Sequence, residues 1–338
     1  MKAYQLHGQD GPDSLKLVEI PEPNPGPRQV LIRVRANSLN YRDLMIADGR
    51  YGKANLPLVP LSDGAGEIVA IGEGVARWKT GDRVAGTFFQ GWDSGTFRRE
   101  IMATALGGAL AGMLAEFVVL GEDGVVPVPA HLSFAEAATL PCAGVTAWHA
   151  LVERGHVAAD ETVLLLGTGG VSLFALQIAK LHGARTIITS GSDEKLARAR
   201  SLGADATINY RTTPDWDEEV FRLTQKTGVD HVVEVGGTGT FAKSLRSLAV
   251  NGQVHVVGGV SGFTSDVPLR EILGKLATIN GIFVGSRLMF ESLNRALARH
   301  EIKPVVDRVF PFAHAAAAAY RYLQSGAHFG KVVIGSGD

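Results

Sequence analysis

Residues 167–172 read Gly-Thr-Gly-Gly-Val-Ser and join a run of buried-strand character, 162–166, to a helical run, 171–181. Strand, glycine-rich turn and helix in that order can seat a pyrophosphate. One glycine permits the tight turn, a second lets backbone N–H groups approach the phosphates, and the helix N-terminus adds positive dipole. Where the usual fingerprint has its third glycine this chain has Ser172, at a position that serves close packing of helix on strand. A glycine-rich turn by itself is a weak signal, and its weight comes from the strand before it, the helix after it and the units that follow.

Which dinucleotide such a turn takes is decided at the end of the next strand, about 20 residues on, where an acid accepts from the ribose 2′-OH of NAD. The sequence offers Ser190-Gly191-Ser192, followed by Lys195 and Arg200. Hydroxyls and cations suit a 2′-phosphate, which a carboxylate would repel. Asp193 is the rival acid, although Ser192 also reads as the N-cap of a helix whose dipole favours Asp193 and Glu194 in its first turn. These residues point to NADPH, with NADH the less favoured cofactor.

The elements that must position the turn are legible from periodicity. From residue 162 onward, strand-like runs (162–166, 186–189, 206–208, 231–235 and 253–257) alternate with runs of helical spacing (171–181, 194–202, 215–224 and 240–248). A last pair, 279–284 and 288–300, extends the series. Such alternation implies an α/β fold, a doubly wound parallel sheet with right-handed crossovers and helices on both faces. Before residue 126 the chain reads as short strands and turns. Residues 30–34 read as a strand with Arg33 among apolar side chains, and the proline-rich stretch 21–27 is an extended connector. The tail from Lys303 returns to short strands with an alanine-rich helix, 313–323.

A length of 338 residues suits two domains. The net charge of −1 gives no pull towards nucleic acid or an anionic membrane. Residues 102–121 are apolar, but Glu116 and several glycines interrupt them, so a buried turn-and-strand segment is expected there and not a membrane span. The single cysteine, Cys142, excludes an intramolecular disulfide, and the start lacks the apolar core of a signal peptide. Both features fit a cytoplasmic protein.

Asn37-Ser38-Leu39-Asn40-Tyr41-Arg42-Asp43, Asp63-Gly64-Ala65-Gly66, Gly81-Asp82-Arg83-Val84, Leu114-Ala115-Glu116-Phe117-Val118-Val119, Ala137-Ala138-Thr139-Leu140-Pro141 with Gly144-Val145-Thr146, the glycine-rich turn, and Phe329-Gly330-Lys331-Val332-Val333 stand in that order along the chain. Together they resemble the medium-chain dehydrogenase/reductase superfamily, in its zinc-free branch near the quinone oxidoreductases. The resemblance implies a GroES-like β-rich catalytic domain (1–126, completed by 302–338), a Rossmann dinucleotide-binding domain (127–301), and a homodimer formed through the last sheet strand near 279–284. By position it assigns Thr146 to the nicotinamide end and Gly167, Gly169, Gly170 and Val171 to the pyrophosphate. Ser190, Ser192, Lys195 and Tyr210 fall around the 2′-phosphate. Val257, Gly258, Phe283, Val284 and Gly285 fall along the nicotinamide ribose, and Lys331 is a further cofactor contact from the tail.

Zinc enzymes of the superfamily hold their metal with a Cys, a His beside a Glu, and a second Cys or an acid. The first position falls here in Ser38-Leu39-Asn40 and the second in Ser62-Asp63-Gly64, leaving only Cys142 at the third. One thiolate does not make a tetrahedral zinc site, so no metal is expected, and Cys142 reads as a small buried residue. Without a Lewis acid, the chemistry that suffers least is hydride addition to an electron-poor acceptor such as a quinone or an enone. The developing oxyanion then needs a hydrogen-bond or proton donor. Asn40 is the expected orienting residue. Tyr51, in Gly49-Arg50-Tyr51, matches the proton-donating tyrosine of the superfamily's enoyl reductases, and it reads equally as an aromatic lining residue. Arg42 and Asp43 pair to support the loop. Residues 87–92 lie where the family places its cleft wall, and their two Phe and one Trp point to an apolar acceptor. Residues 93–112 read either as a lid or interface or as a packed loop. Two other functions stay open: metal-free alcohol oxidation or aldehyde reduction, and redox-silent NADPH binding.

Overall fold

The computed structural model describes residues 1–264, 266–267 and 269–335. In chain order it forms β1 (Lys2–Leu6), β2 (Leu15–Glu19), β3 (Gln29–Ser38), α1 (Tyr41–Ala47), β4 (Asp63–Ile71), β5 (Arg83–Gly86), β6 (Phe117–Gly121), β7 (Val125–Pro127), α2 (Phe134–Ala137) and α3 (Val145–Trp148). Strand and helix then alternate as β8 (Thr162–Leu165), α4 (Gly170–Leu181), β9 (Arg185–Ser190), α5 (Asp193–Ser201), β10 (Ala206–Asn209), α6 (Trp216–Leu223), β11 (Val229–Glu234) and α7 (Phe241–Ser247). β12 (Leu248–Val256), α8 (Leu269–Lys275), β13 (Thr278–Gly281), α9 (Arg287–His300), β14 (Val306–Pro311), α10 (Ala316–Gln324) and β15 (Lys331–Gly335) complete the order.

Two compact units result, Met1–Val145 with Val284–Asp338, and Thr146–Phe283. The division falls at 146 and 284, and not at the expected 127 and 302. The segment around Cys142 and the helix α9 belong with the β-rich unit because they bond to it. Cys142 N–H donates to Asp63 Oδ2 at 3.2 Å, Asn294 Nδ2 to Pro127 O at 2.9 Å, and Arg287 N–H to Trp92 O at 2.9 Å.

Unit 146–283 is a six-stranded sheet in the order β10-β9-β8-β11-β12-β13, with every pair parallel. Val163, Leu164, Leu165, Ile187, Ile188, Val232 and Val233 are fully buried, which is why these strands read as unbroken apolar runs and not as alternations. The direction of succession reverses between β8 and β11, so the crevice beyond the C-terminal ends of those strands is the expected ligand position. Residues 167–169 leave β8 at that place.

The β-rich unit holds a seven-stranded sheet in which β15 and β4 both pair antiparallel with β3. Val333 lies opposite Ser38 and Ser38 opposite Asp63, so the end of β3 meets the starts of β4 and β15. A Cβ on Gly66 would stand 2.0 Å from Arg33 O, so the β3–β4 approach requires glycine there. Residues 102–121 contain β6 and buried Leu106, Met113 and Leu114. No helix among the described residues is long and apolar enough to cross a membrane.

The parallel sheet contains a chain of buried imidazoles. Asn280 Nδ2 faces His255 Nδ1 at 3.5 Å, His255 Nε2 faces His231 Nδ1 at 3.1 Å, and His231 Nε2 faces Glu161 Oε2 at 3.0 Å. With both imidazoles neutral, one direction of donation satisfies every group from Asn280 to Glu161. An added proton on His255 would put N–H against the Asn280 amide, with His231 and His149 repelling the charge. Burial first, then those two histidines, push His255 down to about 3 from 6.5. Since the folded value lies below the unfolded one, stability is full above about pH 6.5 and falls as pH drops towards 3, by up to roughly 1.4 kcal/mol per pH unit. Urea melts between pH 7 and 4 are expected to show this slope in the wild type and a flatter one in His255→Gln. Parallel slopes would assign the acid sensitivity to another group.

Candidate active site

At the end of β8, Gly167 takes φ 73°, and its N–H donates to Thr189 Oγ1 at 3.2 Å. A Cβ added at Gly167 or Gly169 would meet nothing within 4 Å, so no protein atoms fill the turn. α4 starts at Gly170 with no side-chain cap, leaving its first N–H groups to an external acceptor. Ser172 is buried, and its hydroxyl donates to Leu166 O at 2.7 Å. The serine thus ties the helix to the strand that the missing glycine would have packed against. Gly167, Gly169, Gly170 and Val171 therefore lie together at an open turn that fits a pyrophosphate.

The residues expected around a 2′-phosphate stand at and beyond the end of β9. Ser192 caps α5 by accepting from Lys195 N–H at 3.4 Å, and Ser190 Oγ accepts from Ser192 N–H at 3.3 Å. Asp193 Oδ1 accepts from Asn209 Nδ2 at 2.7 Å, so the rival acid is engaged by β10. A Cβ on Gly191 would lie 2.9 Å from Tyr210 Oη and 2.8 Å from Arg211 Nε. Ser190 and Ser192 flank Gly191, Tyr210 packs beside it, and Lys195 stands in the first turn of α5. Arg200 is in the last turn, at the far end. Sequence reasoning missed Arg211. Its signal was the strand order, which sets the residues after β10 beside the end of β9. Val257 and Gly258 follow β12, both donating N–H to Glu234 O at 2.9 and 3.3 Å. Thr146 is buried. Phe283 ends this unit, whereas Val284, which has φ 48°, and Gly285 count with the other.

The β-rich unit brings together Asn40, Asp43, Asp63, Cys142 and Lys331. Lys331 Nζ donates to Leu39 O and to Asn40 Oδ1, both at 2.6 Å, and is only 4% exposed. The expected cofactor contact thus has two of its N–H groups engaged inside its own unit. Asn40 N–H donates to Asp43 Oδ2 at 2.7 Å. Asp63 accepts from Ser62 Oγ at 2.7 Å through Oδ1 and from Cys142 N–H through Oδ2. Burial drives the Asp63 carboxyl above its ordinary range against the pull of Lys331, and it drives Asp43 up to about 6 against Arg42 and the Asn40 N–H. The Cys142 thiol is raised by desolvation and then by Asp63. Asn40 Nδ2 lies beside Asp63, is buried, and has no hydrogen-bond partner of good geometry. An unmet buried donor costs about 1–3 kcal/mol and is a place to look for function.

Tyr51 is 43% exposed, and the Arg42 guanidinium lies 5.4 Å from its ring and 4.6 Å from the ring of Phe88. Arg42 also donates to Leu106 O at 2.9 Å. The aromatic wall is a correction to the sequence reading. Phe88, Phe89 and Trp92 are buried edge-to-face against one another and Phe97. They are core, and they carry no information on acceptor polarity. The Trp92 indole N–H donates to Gly95 O at 3.0 Å and Leu288 N–H donates to Asp93 O at 3.0 Å, tying the start of segment 93–112 into its own unit.

Of the positions where the resemblance would put zinc ligands, only Cys142 carries a sulfur, its thiol is raised and so neutral, and the Lys331 ammonium acts on the neighbouring Asp63 carboxylate. Among the described residues no group of three or more His, Cys, Asp or Glu side chains is arranged for a metal ion. This donor set does not fit tetrahedral zinc.

The family profile "Alcohol dehydrogenase GroES-like domain" matches residues 26–130, and "Zinc-binding dehydrogenase" matches 170–299. A zinc-type alcohol dehydrogenase-like protein of Schizosaccharomyces pombe is 44% identical over 98% of this chain and 98% of its own. The quinone oxidoreductase of Homo sapiens is 30% identical over 99% of this chain and 97% of its own. The crystal structure of an NAD-dependent alcohol dehydrogenase matches with a TM-score of 0.91 at 36% identity, covering 100% of both chains. The chain belongs to the medium-chain dehydrogenase/reductase superfamily and is an oxidoreductase of that NAD(P)-binding family.

Since nothing crowds Gly169 and its φ is −81°, a side chain there is compatible with the free fold. Gly169→Val is expected to melt within about 2 °C of wild type while binding dinucleotide at least about tenfold more weakly, read by nucleotide fluorescence. Unchanged binding would move the pyrophosphate away from this turn.

Proposed function

We propose that this protein is a zinc-independent, NADPH-dependent oxidoreductase that reduces quinones or α,β-unsaturated carbonyl compounds. The observation that carries the reading is the buried Asn40 amide, held with an unpartnered N–H in a site whose residues do not make a zinc donor set. When bound, the dinucleotide supplies the hydride. This chain's own contribution is the donor that meets negative charge as it develops on the acceptor's oxygen. In an enone, hydride goes to the β-carbon, the electron pair moves to the carbonyl oxygen, and a proton then returns to the α-carbon. Tyr51 is the candidate for that last proton, and its exposure lets solvent do the same. Ser190, Ser192, Lys195, Tyr210 and Arg211 support NADPH over NADH, because hydroxyls and cations favour a 2′-phosphate.

Metal-free alcohol oxidation or aldehyde reduction is the second reading, favoured by the alcohol dehydrogenase names of close relatives. Redox-silent NADPH binding is the third. We also propose a homodimer. α8 exposes Leu269 and Leu273, and the edge strand β13 beside it exposes Ile279, a strand edge and an apolar face that a second copy would cover.

NADPH and NADH oxidation, followed with a quinone, an enone and an aldehyde in the presence of chelator, separates the readings. Chelator-resistant turnover of quinone or enone is expected. Turnover of aldehyde alone favours the second reading, and binding without turnover the third. Arg211→Ala is expected to raise KM for NADPH roughly 10–100-fold and to leave NADH within about twofold, the loss of one charge-assisted hydrogen bond. Equal effects on both cofactors would remove the 2′-phosphate assignment.

A further inference from the structure

We infer that Lys331 is a positioning residue that fixes the Asn40 amide with its oxygen turned inward and its N–H groups left for the acceptor's oxygen. The inference rests on the reaction proposed above. Lys331 stands at the start of β15, while Leu39 and Asn40 link β3 to α1. The backbone of Asn40 is already set, because its N–H is held by Asp43 Oδ2 and Asp43 N–H donates to Asn40 O at 2.9 Å. The capping box of α1 also sets the Asn40 side chain towards the Asp43 N–H, without a hydrogen bond from it.

An asparagine amide is nearly symmetric in shape, and either end can face a given neighbour. Lys331 removes the symmetry. Its ammonium only donates, and it sits 2.6 Å from the amide oxygen; a flipped amide would set NH2 against NH3+ at that distance. The 2.6 Å bond to Leu39 O aims the ammonium. The consequence is the unpartnered Nδ2. One of its two N–H groups faces the Asp63 carboxylate, and among the described residues no acceptor in good geometry meets the nitrogen. Donation by a cation to the carbonyl end also draws electron density from the nitrogen, which strengthens the remaining N–H as a donor. Asp63, held in place by Ser62 and Cys142 N–H, faces the ammonium as its counter-charge.

A purely structural lysine would only tie β15 to β3. A cofactor lysine would change dinucleotide affinity. Lys331→Met, Asn40→Asp and the double variant separate these roles when kcat with the accepted carbonyl substrate and NADPH Kd by fluorescence are both read. Asn40→Asp keeps an acceptor for Lys331 and removes the N–H. Each single variant is expected to lower kcat about 100-fold with NADPH Kd within about twofold, and the double variant to be no worse than the lower single. Lys331→Arg, which retains charge and donors, is expected to keep kcat within about tenfold, and it stands in for the methionine variant if that does not fold. Losses that multiply in the double variant, an Asn40→Asp that keeps its kcat, or a Lys331→Met whose loss is in NADPH Kd alone would overturn the assignment. Wild-type turnover is measured first. Turnover of aldehyde but not of enone or quinone rejects the proposed acceptor class while leaving the cycle to be run on the aldehyde. An inactive wild type rejects both.

Discussion

The paired hydrogen bonds from Lys331 Nζ to Leu39 O and Asn40 Oδ1 join residues 292 and 291 positions apart. A buried ammonium without acceptors would cost several kcal/mol, so the charge is stable only where the tail strand is in register with β3. That register, Val333 opposite Ser38, also sends Leu39 N–H to Val332 O at 3.0 Å. A slip of one residue would turn the lysine to the other face of the sheet and leave its acceptors unmatched. The sheet thus specifies the site, and the site in turn penalises any other sheet.

The two units hold their buried acids in different ways. Beside Lys331, the carboxyls of Asp43 and Asp63 are both pushed upward by desolvation and held back by cations, with Arg42 opposing Asp43 and Lys331 opposing Asp63. Loss of one partner there would strand another charge. Glu234, at the end of β11, instead accepts from Gly236 N–H at 2.7 Å, Gly237 N–H at 2.9 Å, Thr240 Oγ1 at 2.6 Å and Ser244 Oγ. Its partners are neutral donors of the loop after β11 and the start of α7, and their effect is to shape the backbone at the sheet's C-terminal end. The first arrangement needs distant parts of the chain and the second needs only neighbours.

That difference explains what could be read in the sequence. The parallel sheet and the turn at Gly167 were legible because they are local: apolar runs, helical spacing and glycines follow one another along the chain. Asn40 and Lys331 were named, but as separate candidates. Their bond depends on β15 pairing with β3, which no local pattern encodes. Arg211 was missed for the same reason, since its place beside Gly191 follows from β10 lying next to β9. The aromatic run Phe88-Phe89 with Trp92 was read as a cleft wall because composition does not distinguish a lining ring from a packed one. The division of units moved because α9 has the spacing of a Rossmann helix, yet its Asn294 bonds to Pro127.

The word zinc in the names of close relatives transfers poorly to this chain, and the reason is electrostatic as well as a matter of counting ligands. A zinc site needs anionic or neutral donors around an empty centre. Here the stretches Ser38-Leu39-Asn40 and Ser62-Asp63-Gly64, which hold neither Cys nor His, fall where the resemblance would put a Cys and a His, Cys142 keeps a raised thiol, and a lysine ammonium acts on the Asp63 carboxylate. In the proposed reaction the positive charge that a metal would bring comes instead from Lys331, one bond removed, through the carbonyl end of the Asn40 amide. A metal polarises an oxygen by direct coordination, whereas this arrangement offers it a hydrogen bond, the weaker of the two. A hydrogen bond suits best an acceptor whose charge is delocalised before the donor acts, which is the physical ground on which we propose quinones and enones over simple alcohols and ketones.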